Sequence, residues 1–75
     1  MFTVEHEYDY TSIITLDEEG NFEDVEVFLD AEVVYLCQEI RDTEVRQVLE
    51  LSYQQLTDIV ASMNLPEGAY RGLVL

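Results

Sequence analysis

Apolar and polar positions alternate with a period of two at the start of the chain. Phe2, Val4, His6, Tyr8 and Tyr10 fall on one side of residues 2–10, and Thr3, Glu5, Glu7 and Asp9 on the other. That alternation predicts a half-buried strand. Thr11, Ser12, Ile13, Ile14 and Thr15, mostly β-branched, prolong the extended signal to Leu16. A single strand of that length would run about 50 Å, so a bulge or bend is expected near Thr11 and Ser12, where the alternation weakens.

Asp17, Glu18, Glu19, Gly20 and Asn21 are turn residues. Alternation then resumes, with Val25, Val27 and Leu29 opposite Asp24, Glu26 and Phe28. After a break at Asp30, Ala31 and Glu32, residues 33–40 are apolar on both faces, as in a central strand. A polar turn through Arg41, Asp42, Thr43 and Glu44 leads to a further alternating stretch at 45–51. Four strands near 2–15, 23–30, 33–40 and 45–51 follow from this pattern.

The period then changes. Ser52 and Gln55 have the spacing of a capping box, and Leu51 and Leu56 that of a hydrophobic staple. Leu56, Ile59, Val60 and Met63 recur at i, i+3, i+4 and i+7, one helical stripe ending at Asn64 and Pro66. The expected fold is α+β: a four-stranded antiparallel meander with one C-terminal helix packed on one face, ββββα, in a single domain over residues 1–75.

Composition adds a problem of stability. The chain has 75 residues, of which 48% are hydrophobic, too apolar for a disordered segment. A core of this size gives no more than about 3–5 kcal/mol unless a disulfide, metal or further subunit assists. One cysteine cannot make an internal disulfide. A partner or a second copy of the chain, as in a homodimer, is therefore a physical expectation.

Charge narrows function. Seventeen Asp and Glu stand against three Arg and no Lys, a net charge of −14. Such a surface cannot bind nucleic acid through its phosphates, and it is repelled by anionic membranes. No apolar run approaches the roughly 20 residues of a membrane helix. Residues 1–10 lack the basic start and apolar stretch of a signal peptide, so a cytoplasmic location is expected.

The candidate chemical groups are sparse. His6 alternates away from Glu5 and Glu7, which separates the donors a metal would need. Cys37 sits in the most apolar strand, and the chain offers only three arginines to activate a thiolate, so it reads as a small core residue. Around Asp17, Glu18, Glu19, Glu23 and Asp24, an EF-hand alignment on Gly20 puts Thr15 where the first Asp ligand belongs. The carboxylates lack the distinct buried settings that separate the pKa values of an acid–base pair. No catalytic residue, metal or cofactor is expected.

The acidic surface remains. Eleven of the carboxylates and no Arg fall in residues 1–32. On the single-strand reading Glu5, Glu7 and Asp9 share one face at about 6.6–6.8 Å spacing, close to two rises of a DNA strand. The expected partner is a basic, nucleic-acid-binding protein. Glu5, Glu7, Asp9, Asp17, Glu18, Glu19, Glu23, Asp24 and Glu26 would contact it, with Tyr70 as an aromatic anchor. In size and charge the chain resembles acidic DNA-mimic inhibitors, often virus-encoded, of the anti-CRISPR or anti-restriction type. The alternative is a structural or accessory subunit assembled through apolar surface, including the 73–75 tail, with the charge serving solubility.

Overall fold

The structure, a computed structural model, describes residues 1–71. The 73–75 tail lies outside them. Five strands form one antiparallel sheet in the order of the chain: β1 (Phe2–His6), β2 (Thr11–Thr15), β3 (Val25–Leu29), β4 (Val34–Glu39) and β5 (Arg46–Leu51). One helix follows, α1 (Tyr53–Ser62). The class is α+β as expected, with one strand more.

The extra strand corrects the reading of residues 2–15. The chain folds back at residues 7–10, where the Glu7 N–H donates to the Tyr10 carbonyl at 2.8 Å. β1 and β2 then pair as Phe2↔Thr15, Val4↔Ile13 and His6↔Thr11. Paired positions therefore sum to an odd number, so the inward parity switches from even in β1 to odd in β2. The weakened alternation at Thr11 and Ser12 marks this switch, and no bulge is present. Tyr8 stands fully exposed at the turn.

The strand pairings assign every side chain to a face. One face carries Phe2, Val4 and His6 of β1 and Thr11, Ile13 and Thr15 of β2. It continues with Val25, Val27 and Leu29 of β3, Val34, Leu36 and Gln38 of β4, and Gln47, Leu49 and Leu51 of β5. No Asp, Glu, Lys or Arg occurs on it. All four strand carboxylates (Glu5, Glu26, Glu39, Glu50) and the strand arginine, Arg46, point the other way.

α1 begins where the sequence places it. Ser52 accepts from the Gln55 N–H at 3.1 Å and Gln55 Oε1 accepts from the Ser52 N–H at 3.1 Å, a complete capping box. The helix leaves β5 at the end of the sheet where Val34 lies, and the Tyr53 hydroxyl donates to the Asp30 carbonyl there. No side chain of α1 is buried; Leu56 and Ala61 are half-buried. Among the described residues only Val34, at 0% exposure, and Cys37, at 7%, are buried. Among the described residues no helix is long and apolar enough to cross a membrane.

Candidate functional site

The carboxylates divide between the two ends of the sheet. One end holds the β2–β3 loop (16–24) and the β4–β5 turn (40–45), and every cation–carboxylate pair among the described residues lies at or near it. The α-amino group of Met1 meets Glu18 at 2.8 Å, Arg41 meets Glu23 at 3.4 Å, and Arg46 meets Glu26 at 3.0 Å. The Arg41 guanidinium also donates to the Asn21 carbonyl. Hydrogen bonding to Glu26 raises the pKa of Arg46.

Asp17 serves its own loop. Its Oδ2 accepts from the Asn21 N–H at 2.8 Å and the Phe22 N–H at 3.0 Å, while Gly20 takes φ +72° to let the backbone turn. The Asn21 N–H lowers the Asp17 pKa most; partial desolvation opposes it, and the Phe22 and Glu19 N–H groups and Arg41 add to the lowering. Four of the residues read as partner contacts, Asp17, Glu18, Glu23 and Glu26, are thus engaged within the chain. Glu19 makes one bond of 3.4 Å to Asn21 Nδ2. Their companion Asp24 borders an open polar depression between the loop and β5, together with Glu39, Arg41 and Arg46.

The other end holds the β1–β2 turn (7–10) and the β3–β4 turn (30–33). Across its charged face the pairings align Glu5, Ser12, Phe28, Tyr35 and Glu50, one residue from each strand. Tyr10 packs edge-on against Phe28, with ring centroids 5.9 Å apart and planes at 60°. Asp9, Tyr10, Phe28, Asp30 and Tyr35 line an open cleft of ≈ 260 Å³. Glu5 and Glu50 close the row on either side, about 19 Å apart at four strand spacings. None of these carboxylates is paired with a cation among the described residues.

This geometry corrects the proposed row of Glu5, Glu7 and Asp9. Glu5 sits on β1, whereas Glu7 and Asp9 lie in the turn, so the three do not share a strand face. They do share one end of the sheet with Asp30, Glu32 and Glu50, which the sequence pattern had not grouped with them. The aromatic centre, Tyr10, Phe28 and Tyr35, was also missed. Its signal was Phe28 alternating against Val27 and Leu29, with Tyr35 directly across the next hairpin.

Tyr70 lies in the segment after α1 and bonds locally. Its hydroxyl donates to the Pro66 carbonyl at 3.0 Å, and its ring folds over Gly68, leaving it half-exposed. His6 Nδ1 lies 3.0 Å from Thr11 Oγ1, bonded to a neighbour as expected but exposed. Cys37 is a free, buried thiol. Among the described residues no three His, Cys, Asp or Glu side chains converge on a point that could hold a metal ion.

A family model described as a domain of unknown function (DUF8831) matches residues 3–62, which span the sheet and α1. No curated protein and no solved structure matches the chain.

Proposed function

The chain belongs to the DUF8831 family, and we propose that it is a non-catalytic inhibitor that occupies a basic, nucleic-acid-binding surface of a partner protein. The observation that carries this reading is the anionic end of the sheet. There Glu5, Asp9, Asp30 and Glu50 flank the aromatic cleft of Tyr10, Phe28 and Tyr35, while the pairing cations gather at the opposite end. Arg and Lys side chains of a basic groove find carboxylates at the rim and aromatic rings at the centre. Long-range attraction to a net charge of −14 accelerates the encounter. Asp24, Glu19 and Tyr70 are secondary contacts in this reading. In this reading the chain acts as a DNA mimic in the cytoplasm, and in size and charge it resembles virus-encoded anti-defence proteins.

The test is competition. A protein retained on the immobilised chain from the source cell's lysate should be released by duplex DNA or RNA and by raised salt, because the three act on one basic surface. Retention that neither nucleic acid nor salt reverses sinks the mimic. It would favour a structural or accessory subunit held by apolar surface, a reading that the exposed side chains of the charge-free face support.

A further inference from the structure

Domains are built from at least two packed layers around a shared core. Here the described residues supply one sheet and a ten-residue helix with no buried side chain. The chain exposes 6455 Å², whereas a compact monomer of 8.7 kDa is expected to expose about 4,700 Å². The surplus, about 1,750 Å² over sheet, helix and loops together, exceeds the ~800 Å² that each partner contributes to an interface of standard size.

We propose that the missing layer is a second copy of the chain, docked sheet to sheet through the charge-free face. Three features identify the occupant. First, the face presents Phe2, Val4, Ile13, Val25, Val27, Leu36 and Leu49 together, and Phe2, Val4 and Leu49 are about half or more exposed. Second, two chains of charge −14 repel strongly, and this is the one strand face by which they can meet without bringing carboxylates together. Third, four of its five polar members, all but Thr15, already bond within the chain. Gln47 Nε2 donates to Gln38 Oε1 at 3.0 Å, Gln38 Nε2 donates to the Glu23 carbonyl at 3.0 Å, and Thr11 pairs with His6. Covering the face therefore buries few polar groups that lack a partner.

A two-fold axis through such a face makes it self-complementary, and aligned sheets stack about 10 Å apart. The anionic faces and their aromatic clefts then point outward on opposite sides. The dimer does not depend on the partner reading above and is tested without any partner.

Light scattering on the full chain should give twice the 8.7 kDa mass. Raised salt should tighten the dimer, because screening removes the repulsion and leaves the apolar contact. Val4→Lys with Leu49→Lys places a charge on each outer strand at positions already exposed in the single chain. It should weaken self-association at least about tenfold, although each lysine lowers the net repulsion. Val48→Lys, exposed on the opposite face of β5, should leave the dimer intact. Circular dichroism checks that the variants keep their strands. If the double variant unfolds, methyl contacts between differently labelled copies of the unaltered chain decide. Contacts among Ile13, Val27 and Leu36 of two copies support the interface, and a dimer without them overturns it. A monomer at the highest soluble concentration, or a dimer lost in Val48→Lys and kept in the double variant, also overturns the proposal.

Discussion

The Arg46 guanidinium reaches from β5 across β4 to Glu26 on β3, at 3.0 Å, on the same face as Cys37. Cys37 pairs directly with Glu26 and Val48, so the bridge passes beside its thiol. The register makes this arginine a candidate cover for a buried cysteine on the charged side of the sheet. The apolar stem of an arginine covers surface while its head stays in water.

Removing that cover should expose the thiol. Arg46→Ala is expected to react with a thiol-specific reagent faster than the unaltered chain, in the native state and at equal strand content. The ion pair itself is solvent-exposed, so the thiol rate is the sensitive readout and the melting temperature is not. Equal rates would mean that the neighbouring strands alone bury Cys37.

The capping box should act locally. Ser52→Ala removes the acceptor of the Gln55 N–H, a change worth about 0.5–2 kcal/mol at an N-cap. Because α1 buries no side chain, the loss should appear as fraying of the helix before it appears in the sheet. Amide exchange in the first turn should accelerate roughly 2- to 30-fold, with β3 and β4 unchanged. Uniform acceleration through the sheet would show that α1 and the strands open together.

Asp17 predicts an acid-sensitive loop. Its folded pKa is depressed, chiefly by the Asn21 N–H, below the ordinary 3.8. A depressed carboxylate contributes stability that is fully present above its unfolded value and is lost as pH falls through the folded one. The 16–24 loop should therefore hold its shape from neutral pH to near pH 4 (~3.9 for an unperturbed Asp) and loosen below it. Amide shifts of Asn21 and Phe22 should follow the titration of the Asp17 carboxyl. Asp17→Asn keeps an acceptor and should remove the pH dependence, and Asp17→Ala should loosen the loop at every pH. Asn21 and Phe22 shifts that titrate in Asp17→Asn would assign the effect to another carboxylate.

The later strands, the helix and its cap were legible because their signals are local. Alternation across Val25, Val27 and Leu29 reports directly on β3, and Ser52 with Gln55 on the start of α1. The first hairpin was not legible in the same way. Its four-residue turn carries apolar Tyr8 and Tyr10 in phase with β1, so the alternation runs through the turn, and only the parity change at Thr11 betrays it. The grouping of carboxylates was hidden for a different reason. Arg41 lies 18 residues from Glu23 and Arg46 lies 20 from Glu26, and only strand order brings them together. Charge counted along the chain weights all acids equally. The fold neutralises some of them and leaves others bare.

That distinction sharpens the functional prediction. If the bare end of the sheet is the contact surface, Glu5→Gln, Glu7→Gln and Asp9→Asn together should weaken partner binding at least about tenfold, mainly through slower association. Glu19→Gln, Asp42→Asn and Glu44→Gln remove the same three charges at the end where Arg41 and Arg46 lie, and should cost much less. Tyr10→Ala should act differently from either set. It removes the ring that packs on Phe28 and lines the cleft, so it should raise the dissociation rate and leave association nearly unchanged. Association and dissociation rates against one captured partner, at low and physiological salt, separate these effects. Equal losses from the two charge triples would show that net charge alone attracts the partner. A Tyr10→Ala variant with an unaltered dissociation rate would remove the aromatic cleft from the interface even if the carboxylates stay in it.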